Sequence, residues 1–136
     1  MDKLTGLLTR RDLDKRKQMR KSILLVNIKD LMIINDSHGH VVGNTVIKKV
    51  ANIIADIANK NEEVFRYGGN LFLIQSNDIN NLENTINIAI KDFKFSEDID
   101  IEVDFGRANY NPFEKFDNLF ENADKDLYFN KSNRIK

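Results

Sequence analysis

Apolar residues recur along this chain with two different periods, and each period predicts one kind of secondary structure. The continuous apolar run at 22–28, SILLVNI, is bounded by charged residues and predicts a strand buried on both faces. Between 42 and 59 the apolar residues return every three or four positions, which predicts a long amphipathic helix with one packed face. Together these two segments predict a buried sheet with a helix against it.

A hairpin is predicted directly after the long helix. Residues 63–67 and 70–75 are largely apolar runs separated by Gly68 and Gly69. Consecutive glycines tolerate the positive φ angles that a two-residue hairpin turn requires. We therefore predict two antiparallel strands joined by a tight Gly-Gly turn.

Weaker patterns predict the remaining elements. A further strand is predicted at 100–106, where apolar residues alternate with acidic ones as in a half-exposed strand. The other predicted elements are helices at 10–20, within 29–40 up to a break at Gly39, at 78–92 and at 116–131. The resulting order, αβααββαβα, predicts a single α/β domain over residues 1–136 with helices packed on a sheet.

The charge balance excludes a nucleic-acid-binding surface of the usual kind. The 136 residues carry 21 Lys and Arg against 21 Asp and Glu, so the formal net charge is zero. Polyanion binding needs a basic excess or a basic patch. The one basic run, KRKQMRK at 15–21, is either the solvated face of a helix or a surface for a partner.

Cysteine content and hydropathy bear on the compartment. The chain has no cysteine, which rules out disulfides and thiolate metal sites and is typical of a reducing compartment. No apolar run approaches the ~18 residues of a transmembrane helix, and no signal-peptide pattern precedes Asp2. We therefore expect a soluble, cytoplasmic protein with no membrane segment in this chain.

Four separated segments together resemble one known family. They are DKLTGLLTRR at 2–11, NIKDLMIINDSHGHVVGN at 27–44, RYGGNLF at 66–72 and NADKDLYFNK at 122–131. In this order and register they are similar to the GGDEF family, the diguanylate cyclases that join two GTP molecules into cyclic di-GMP. Gly106 also falls where the family has a strand ending in Ile-Gly. The resemblance implies that family's α+β fold, a mostly antiparallel central sheet of the nucleotidyl-cyclase kind with helices on both faces.

The resemblance places the family's metal site on residues that cannot build it. In the family, an Asp at the end of the first strand and the first acid of the hairpin hold two Mg²⁺ ions. The matching residues here are Asn27 and Asn70, and each amide offers a cation only one neutral oxygen. A second strand acid is replaced by Lys29, whose charge would repel a metal ion, and a second hairpin acid by Leu71. We expect no bound metal, no other cofactor and no catalysis.

Two neighbouring acids are weaker candidates to replace the missing ligands. Asp30 is one residue out of phase with the metal-facing positions of the strand, so its side chain should point elsewhere. Asp36 lies next to the position that recognises guanine in the family, and it is also an ordinary polar residue near a helix end. Neither acid restores the pattern.

The resemblance implies that part of the family's nucleotide site is retained in this chain. Asn35 matches the family Asn that recognises guanine, and Lys131 matches a Lys that contacts phosphate. Asn44 replaces an Asp that accepts two hydrogen bonds from guanine, so at least one of those bonds is lost. Gly68 and Gly69 match the double glycine, which either lets a ligand approach the backbone closely or serves only the turn.

Three further features of the family are absent or structural. Asn59 and Glu62 stand where the family's Arg-x-x-Asp inhibitory site binds its product, so we expect no such site. Arg134 is offset by one position from a phosphate-contacting Arg. His38 and His40 flank Gly39 without an acid or thiol at ligand spacing, so we expect structural roles for both.

Three functions follow as hypotheses. The leading one is a catalytically inactive GGDEF domain that acts as a regulatory or protein-interaction module in cyclic di-GMP signalling. It would work as a homodimer or with a partner such as a phosphodiesterase or sensor domain. The alternative is a sensor that binds GTP or another nucleotide, and the third is a weak diguanylate cyclase. Met1 directly precedes the family's opening Asp, so the chain is either an excised domain of a larger sensor protein or works without one.

Overall fold

A five-stranded mixed sheet, with strand order β1-β3-β4-β2-β5, organises the part of the chain that the structure describes. The structure is a computed structural model, and it describes residues 1–16 and 20–133. The elements are β1 (Leu8–Thr9), α1 (Arg10–Asp14), β2 (Ser22–Ile28), α2 (Leu31–His38), α3 (His40–Ile57), β3 (Glu63–Arg66), β4 (Leu71–Ser76), α4 (Ile79–Asp92), β5 (Val103–Ala108) and α5 (Phe116–Asn133). The predicted fold class is confirmed.

The predicted element order is also confirmed, with one strand added at the start. Strand β1 pairs in parallel with β3, whereas the other three pairings of the sheet are antiparallel. Two residues are too short to show a hydrophobic period, so the sequence pattern could not predict β1. Helix α1 ends at Asp14, well short of the predicted helix at 10–20, and residues 17–19 lie outside the described part of the chain.

Helices cover both faces of the sheet, which explains the unbroken apolar run of β2. On one face, Leu24, Val26 and Ile28 pack in a core with α3 and α4. On the other face, Ile23 and Leu25 pack with α1 and α5. Successive residues of a strand point to opposite faces, so a central strand between two cores is apolar at most of its positions.

The hairpin turn differs from the prediction. Strand β3 ends at Arg66 and β4 begins at Leu71, which leaves residues 67–70 as a loop rather than a two-residue turn. Gly68 and Gly69 do not have positive φ angles, which among the described residues occur at Gly6, Asp30 and Gly39. A longer hairpin loop is built from ordinary turns and does not need the mirror-image conformations of a two-residue turn. The predicted tight turn is therefore wrong.

Strand β5 also differs from its prediction, in position and in exposure. It spans Val103–Ala108 rather than 100–106, and Asp104 is only 7% exposed instead of lying on a solvated face. The reason is that α5 lies directly on this strand. A Cβ on Gly106 would lie 2.3 Å from the carbonyl oxygen of Ala123, so the helix approaches closely because residue 106 has no side chain.

Helix α5 also satisfies backbone groups of β5, the last strand in the sheet. The Arg107 backbone N–H donates to the Asp126 carboxylate at 2.9 Å, and the Asn130 amide donates to the Phe105 carbonyl at 2.6 Å. These side chains take the place of a neighbouring strand and protect the edge from pairing with another chain. The contacts also show that α5 runs antiparallel to β5, because later helix residues meet earlier strand residues.

Candidate functional site

Three side chains from three strands meet at one end of the sheet. In the antiparallel registers, Asn27 of β2 pairs with Leu71 of β4 and with Asp104 of β5. Residues paired across antiparallel strands point to the same face, so all three side chains lie on the face that α5 covers. Asn27 is 5% exposed and Asp104 is 7% exposed. Two of the predicted degenerate positions are thus adjacent, and a carboxylate that was not predicted lies beside them.

The Asn27 and Asn70 amides share one hydrogen-bond acceptor. The Asn27 side-chain nitrogen lies 3.3 Å from the Ile28 carbonyl oxygen, and the Asn70 side-chain nitrogen lies 3.4 Å from the same oxygen. The Ile28 backbone N–H donates to the Asn70 carbonyl at 2.9 Å, which holds the hairpin loop against the end of β2. A carboxylate has no hydrogen to donate, so these contacts are specific to the amides.

Lys29 follows at the end of β2, and its charge is paired. Its ammonium lies 3.1 Å from the Glu102 carboxylate, and its backbone N–H donates to the Glu102 carbonyl at 2.8 Å. The predicted repulsion between Lys29 and a metal ion is therefore reduced, because Glu102 partly neutralises the ammonium. The expectation of no bound metal stays a prediction that rests on the amides at positions 27 and 70.

A pocket of about 360 Å³ lies between α2 and the hairpin loop. It brings together two of the predicted nucleotide-binding residues, Asn35 and Gly69, with the degenerate position Asn70. The remaining lining residues are Leu31, Met32, Asp36 and His40. The other nucleotide candidates, Asn44, Gly68 and Lys131, are not in the lining.

Asn35 is held at the pocket by the close packing of α2 on α3. A Cβ on Gly43 would lie 1.7 Å from the Asn35 side-chain oxygen, so the absence of a side chain at residue 43 makes the space that Asn35 occupies. The neighbouring Asn44 is exposed. Helix α2 ends where Gly39 adopts a φ of +90°, a conformation suited to glycine, and this directs α3 back against α2.

Lys131 lies on the opposite side of the sheet from the α3 and α4 core. The contacts of α5 with β5 run from Asp126 at Arg107 to Asn130 at Phe105. The next residue, Lys131, therefore lies toward the end of β5 that carries Asp104. Lys131 does not line the pocket.

Sequence reasoning missed two residues that shape the site. Met32 lines the pocket and is 76% exposed. It lies within the segment 27–44 that carries the resemblance, but no local pattern assigns it to a pocket. Asp104 was assigned to a solvated face because it alternates with apolar residues, and only the packing of α5 shows that it is buried.

Arg66 ties the start of the chain to the hairpin loop. One guanidinium nitrogen lies 3.2 Å from each carboxylate oxygen of Asp2, and the other donates to the Gly69 carbonyl at 3.1 Å. Burial raises the pKa of Asp2, but hydrogen bonds from Thr5 and the Arg66 contact outweigh it, so the pKa is lowered overall. Asp2 is therefore held in its charged form.

The predicted inhibitory positions lie at the opposite end of the hairpin, in a small polar region. Glu62 accepts hydrogen bonds from the Ser76 hydroxyl and from the Asn59 backbone N–H. The two clefts that these residues line measure about 150 and 120 Å³, and none of the arginines in the described part of the chain lines either one. The absence of an inhibitory site stays a prediction, although Glu62 is already engaged within the chain.

The histidines and the other acids show no shared metal site in the described ranges. His38 is exposed and His40 faces the pocket. Asp30 adopts a left-handed conformation with φ 57° between β2 and α2. Within residues 1–16 and 20–133, no three His, Asp or Glu side chains are placed to hold one ion together.

Comparison with known proteins shows the same family throughout. The profile described as "Diguanylate cyclase, GGDEF domain" matches residues 1–135. Diguanylate cyclase DosC of Escherichia coli strain K12 is 29% identical in an alignment 150 positions long. The alignment covers 96% of this chain and 33% of that protein. The chain therefore spans about a third of the length of this curated relative.

Solved structures agree with that match. The GGDEF domain of DgcB from Caulobacter crescentus, crystallised with c-di-GMP, is 26% identical with a TM-score of 0.85, covering 98% of this chain and 90% of that one. Diguanylate cyclase SiaD of Pseudomonas aeruginosa, crystallised with its activator SiaC, is 21% identical with a TM-score of 0.84, covering 97% of this chain and 58% of that one. Among the described helices, none combines the length and apolar character needed to cross a membrane.

Proposed function

The chain belongs to the GGDEF domain family of cyclic di-GMP signalling, and we propose that it is a member without cyclase activity that acts as a regulatory or protein-interaction module. The proposal concerns what this domain does with its family's site. The fold alone does not fix that function, because one fold serves many activities.

The shared acceptor of Asn27 and Asn70 is the observation that carries the proposal. Two-metal catalysis needs ions about 3.5–4 Å apart that bridge the attacking and leaving oxygens. Here the two amides at the matching positions donate to the Ile28 carbonyl, a contact that a carboxylate could not make. Rotating either amide would present only one neutral oxygen, whereas Mg²⁺ is usually bound through one or two carboxylates.

Asp104 does not restore the lost site. It supplies a carboxylate beside Asn27, but on the β5 side, whereas Leu71 occupies the β4 side with an apolar side chain. A pair of ions needs ligands on both sides. The arrangement supports loss of the cyclase reaction rather than a displaced version of it.

Two findings on similar proteins support an interaction role. SiaD, which has the same fold, was crystallised with an activator protein. The chain spans about a third of the length of DosC, so a domain of this kind also occurs within longer proteins. We propose that this domain acts through a homodimer or through a phosphodiesterase or sensor domain.

The direct test is an assay for cyclic di-GMP formed from GTP with Mg²⁺ or Mn²⁺. We expect no product from the native chain. Turnover that EDTA abolishes would overturn the proposal. A variant carrying Asn27→Asp, Lys29→Asp, Asn70→Asp and Leu71→Glu serves as the matched comparison, because activity regained there would show that the scaffold is competent and that only the site was lost.

A second candidate function, a nucleotide sensor, is favoured by the pocket that contains Asn35 and Gly69. Calorimetric titration with GTP, with and without excess Mg²⁺, and then with cyclic di-GMP tests it. Micromolar binding would support a sensor. No heat with any of these ligands would leave the interaction module as the remaining candidate function.

A further inference from the structure

We propose that the outer face of α5 is a surface for self-association, on which a second copy of this chain packs its own α5 in the antiparallel direction. The outer face consists of the exposed side chains of Glu121, Asp124, Lys125, Tyr128, Phe129 and Ser132. The inference deepens the interaction-module function and rests on it. It names the partner, the surface and the orientation of the two helices.

Two large aromatic side chains lie side by side on the outer face. Tyr128 is 75% exposed and Phe129 is 63% exposed. They border an open concavity of about 480 Å³, together with Asp124, Lys125 and Ser132 of the same helix. Aromatic residues are enriched at the centres of protein interfaces, where their burial supplies much of the binding free energy. The outer face of α5 therefore carries the kind of anchor that a protein partner covers.

The inner face of α5 holds these anchors in place. Ala123 and Leu127 are buried, and a Cβ on Gly106 of β5 would lie 2.3 Å from the Ala123 carbonyl oxygen. The helix has 18 residues, which correspond to about 27 Å at 1.5 Å per residue. Because the helix is packed tightly on the strand, its outer face is already ordered and loses little conformational entropy when a partner binds.

The charged side chains along α5 follow an order in which acids come first. Glu121 and Asp124 precede Lys125, and the half-buried Lys131 follows toward the end of the helix. In a parallel pair of α5 helices like charges would face each other. In an antiparallel pair the acidic part of one helix faces the basic part of the other, which is electrostatically favourable. This charge complementarity of the surface with itself is the observation that selects a second copy as the partner.

Like charges also restrict the register of the antiparallel pair. Positions 121, 125, 128 and 132 are three or four residues apart and form one stripe of the helix. A twofold axis at Lys125 would bring two ammonium groups together, which is unfavourable. An axis midway between Lys125 and Tyr128 places each ammonium over the Tyr128 ring of the other copy, a cation–π contact. Glu121 then lies opposite Ser132, and both copies use the same patch, as a closed twofold dimer requires.

Sedimentation velocity of the full chain, from about 10 μM to about 1 mM, tests whether the dimer forms. We expect a monomer–dimer equilibrium. The double variant with Tyr128→Gln and Phe129→Gln should raise the dimer dissociation constant by about tenfold or more, because it removes both aromatic anchors. A native chain that stays monomeric throughout this range, or a double variant that dimerises as tightly as the native chain, would overturn the inference.

Phe113→Gln is the matched control for the double variant. Phe113 is 94% exposed but lies in the segment before α5, so its replacement should change the dissociation constant by less than about twofold. Glutamine is a good helix former, and far-UV circular dichroism checks that the double variant keeps its helix content. A control that weakens the dimer as much as the double variant would contradict the assignment to α5.

Introduced cysteines test the antiparallel orientation, because the native chain has no cysteine. Glu121→Cys and Ser132→Cys are made as separate variants and are oxidised alone and as an equimolar mixture. A disulfide requires Cα atoms within about 7 Å of each other. Since residue 121 of one copy lies opposite residue 132 of the other, the mixture should cross-link several times faster than either variant alone. Variants that cross-link alone as fast as in the mixture would contradict the antiparallel register.

The outcome is separable from that of the function proposed above. The samples used for sedimentation are also assayed for cyclic di-GMP formed from GTP with Mg²⁺. Product formation would count against a domain without cyclase activity, whatever its oligomeric state. A monomer that forms no product would remove only self-association through α5 and would leave a different protein as the partner of the module.

Discussion

Arg66 and Asn70 lie four positions apart in one hairpin, and their surroundings differ in kind. Arg66 is held by Asp2 at the start of the chain and by the Gly69 carbonyl. The Asn70 side chain makes one long contact to the Ile28 carbonyl and borders an open pocket. Both belong to the same family motif, yet only Arg66 retains the family residue.

The difference shows which part of the motif supports the fold. Residues with several internal partners, such as Arg66 and the buried Phe72, keep the family identity. Of the positions that changed, Asn27 and Asn70 match the acids that hold metal ions in the family, and Leu71 matches a second acid of the hairpin. A side chain that served a metal ion can be replaced without the loss of a core contact, whereas a residue with several internal partners cannot.

The largest expected effect on the free energy of unfolding concerns Gly106, a glycine on which the fold depends. Gly106→Ala should lower the free energy of unfolding by about 3 kcal/mol, because its Cβ would overlap the backbone of α5. Gly69→Ala should change it by less than about 0.5 kcal/mol, because a Cβ there meets nothing within 4 Å. Urea denaturation of both variants measures the contrast.

Equal costs for the two glycine variants would contradict this packing of α5 on β5. A third variant, Gly43→Ala, tests the site side in the same way, since its Cβ would displace the Asn35 side chain. It should weaken any nucleotide binding that calorimetric titration detects, because Asn35 lines the pocket.

The next largest effect on the free energy of unfolding comes from a substitution that restores a single acid of the family pattern. Asn27→Asp should lower the free energy of unfolding at pH 7 by about 2 kcal/mol, because it places a second carboxylate opposite the buried Asp104. The introduced carboxyl repels Asp104 only when it carries a charge. The cost should therefore be small below the ordinary carboxyl range and should grow as pH rises through it.

Asn70→Asp is the matched control for this prediction. Residue 70 lies in the half-exposed loop, so its cost should stay below about 0.5 kcal/mol. Chemical denaturation at several pH values distinguishes the two. A pH-independent cost for Asn27→Asp would indicate lost amide contacts instead of charge repulsion.

The smallest expected effect concerns the ion pair between Arg66 and Asp2. Asp2→Asn should lower the free energy of unfolding by about 1 kcal/mol at pH 7, since it removes a partly exposed ion pair. The pKa of Asp2 is lowered in the folded state, so its stabilisation is present above the ordinary aspartate pKa and is lost as pH falls through the lowered value. Native and variant stabilities should therefore converge at a pH below the ordinary aspartate pKa.

Thermal or urea unfolding between pH 7 and pH 2 measures that convergence. Lys3→Asn changes a charge at the neighbouring exposed position and should leave the stability and its pH dependence nearly unchanged. A difference between native and Asp2→Asn proteins that persists at pH 2 would contradict the ionic contribution.

The main elements and the family were determined by the sequence alone. The apolar run of β2 and the spacing of α3 are local patterns that burial imposes on any chain, so they predicted a buried strand and an amphipathic helix correctly. The replaced residues at 27, 29, 70 and 71 were likewise visible without coordinates. What they imply for metal binding and catalysis stays a prediction.

Tertiary structure decided the features that depend on neighbours distant in the chain. Strand β1 exists because β3 pairs with it, and Asp104 is buried because α5 crosses β5 at Gly106. The hairpin loop avoids positive φ angles because four residues, rather than two, connect its strands. The pairing of Lys29 with Glu102 and the meeting of two amides at Ile28 bring together residues dozens of positions apart. No local period carries such information, because packing brings those residues together only after the chain has folded.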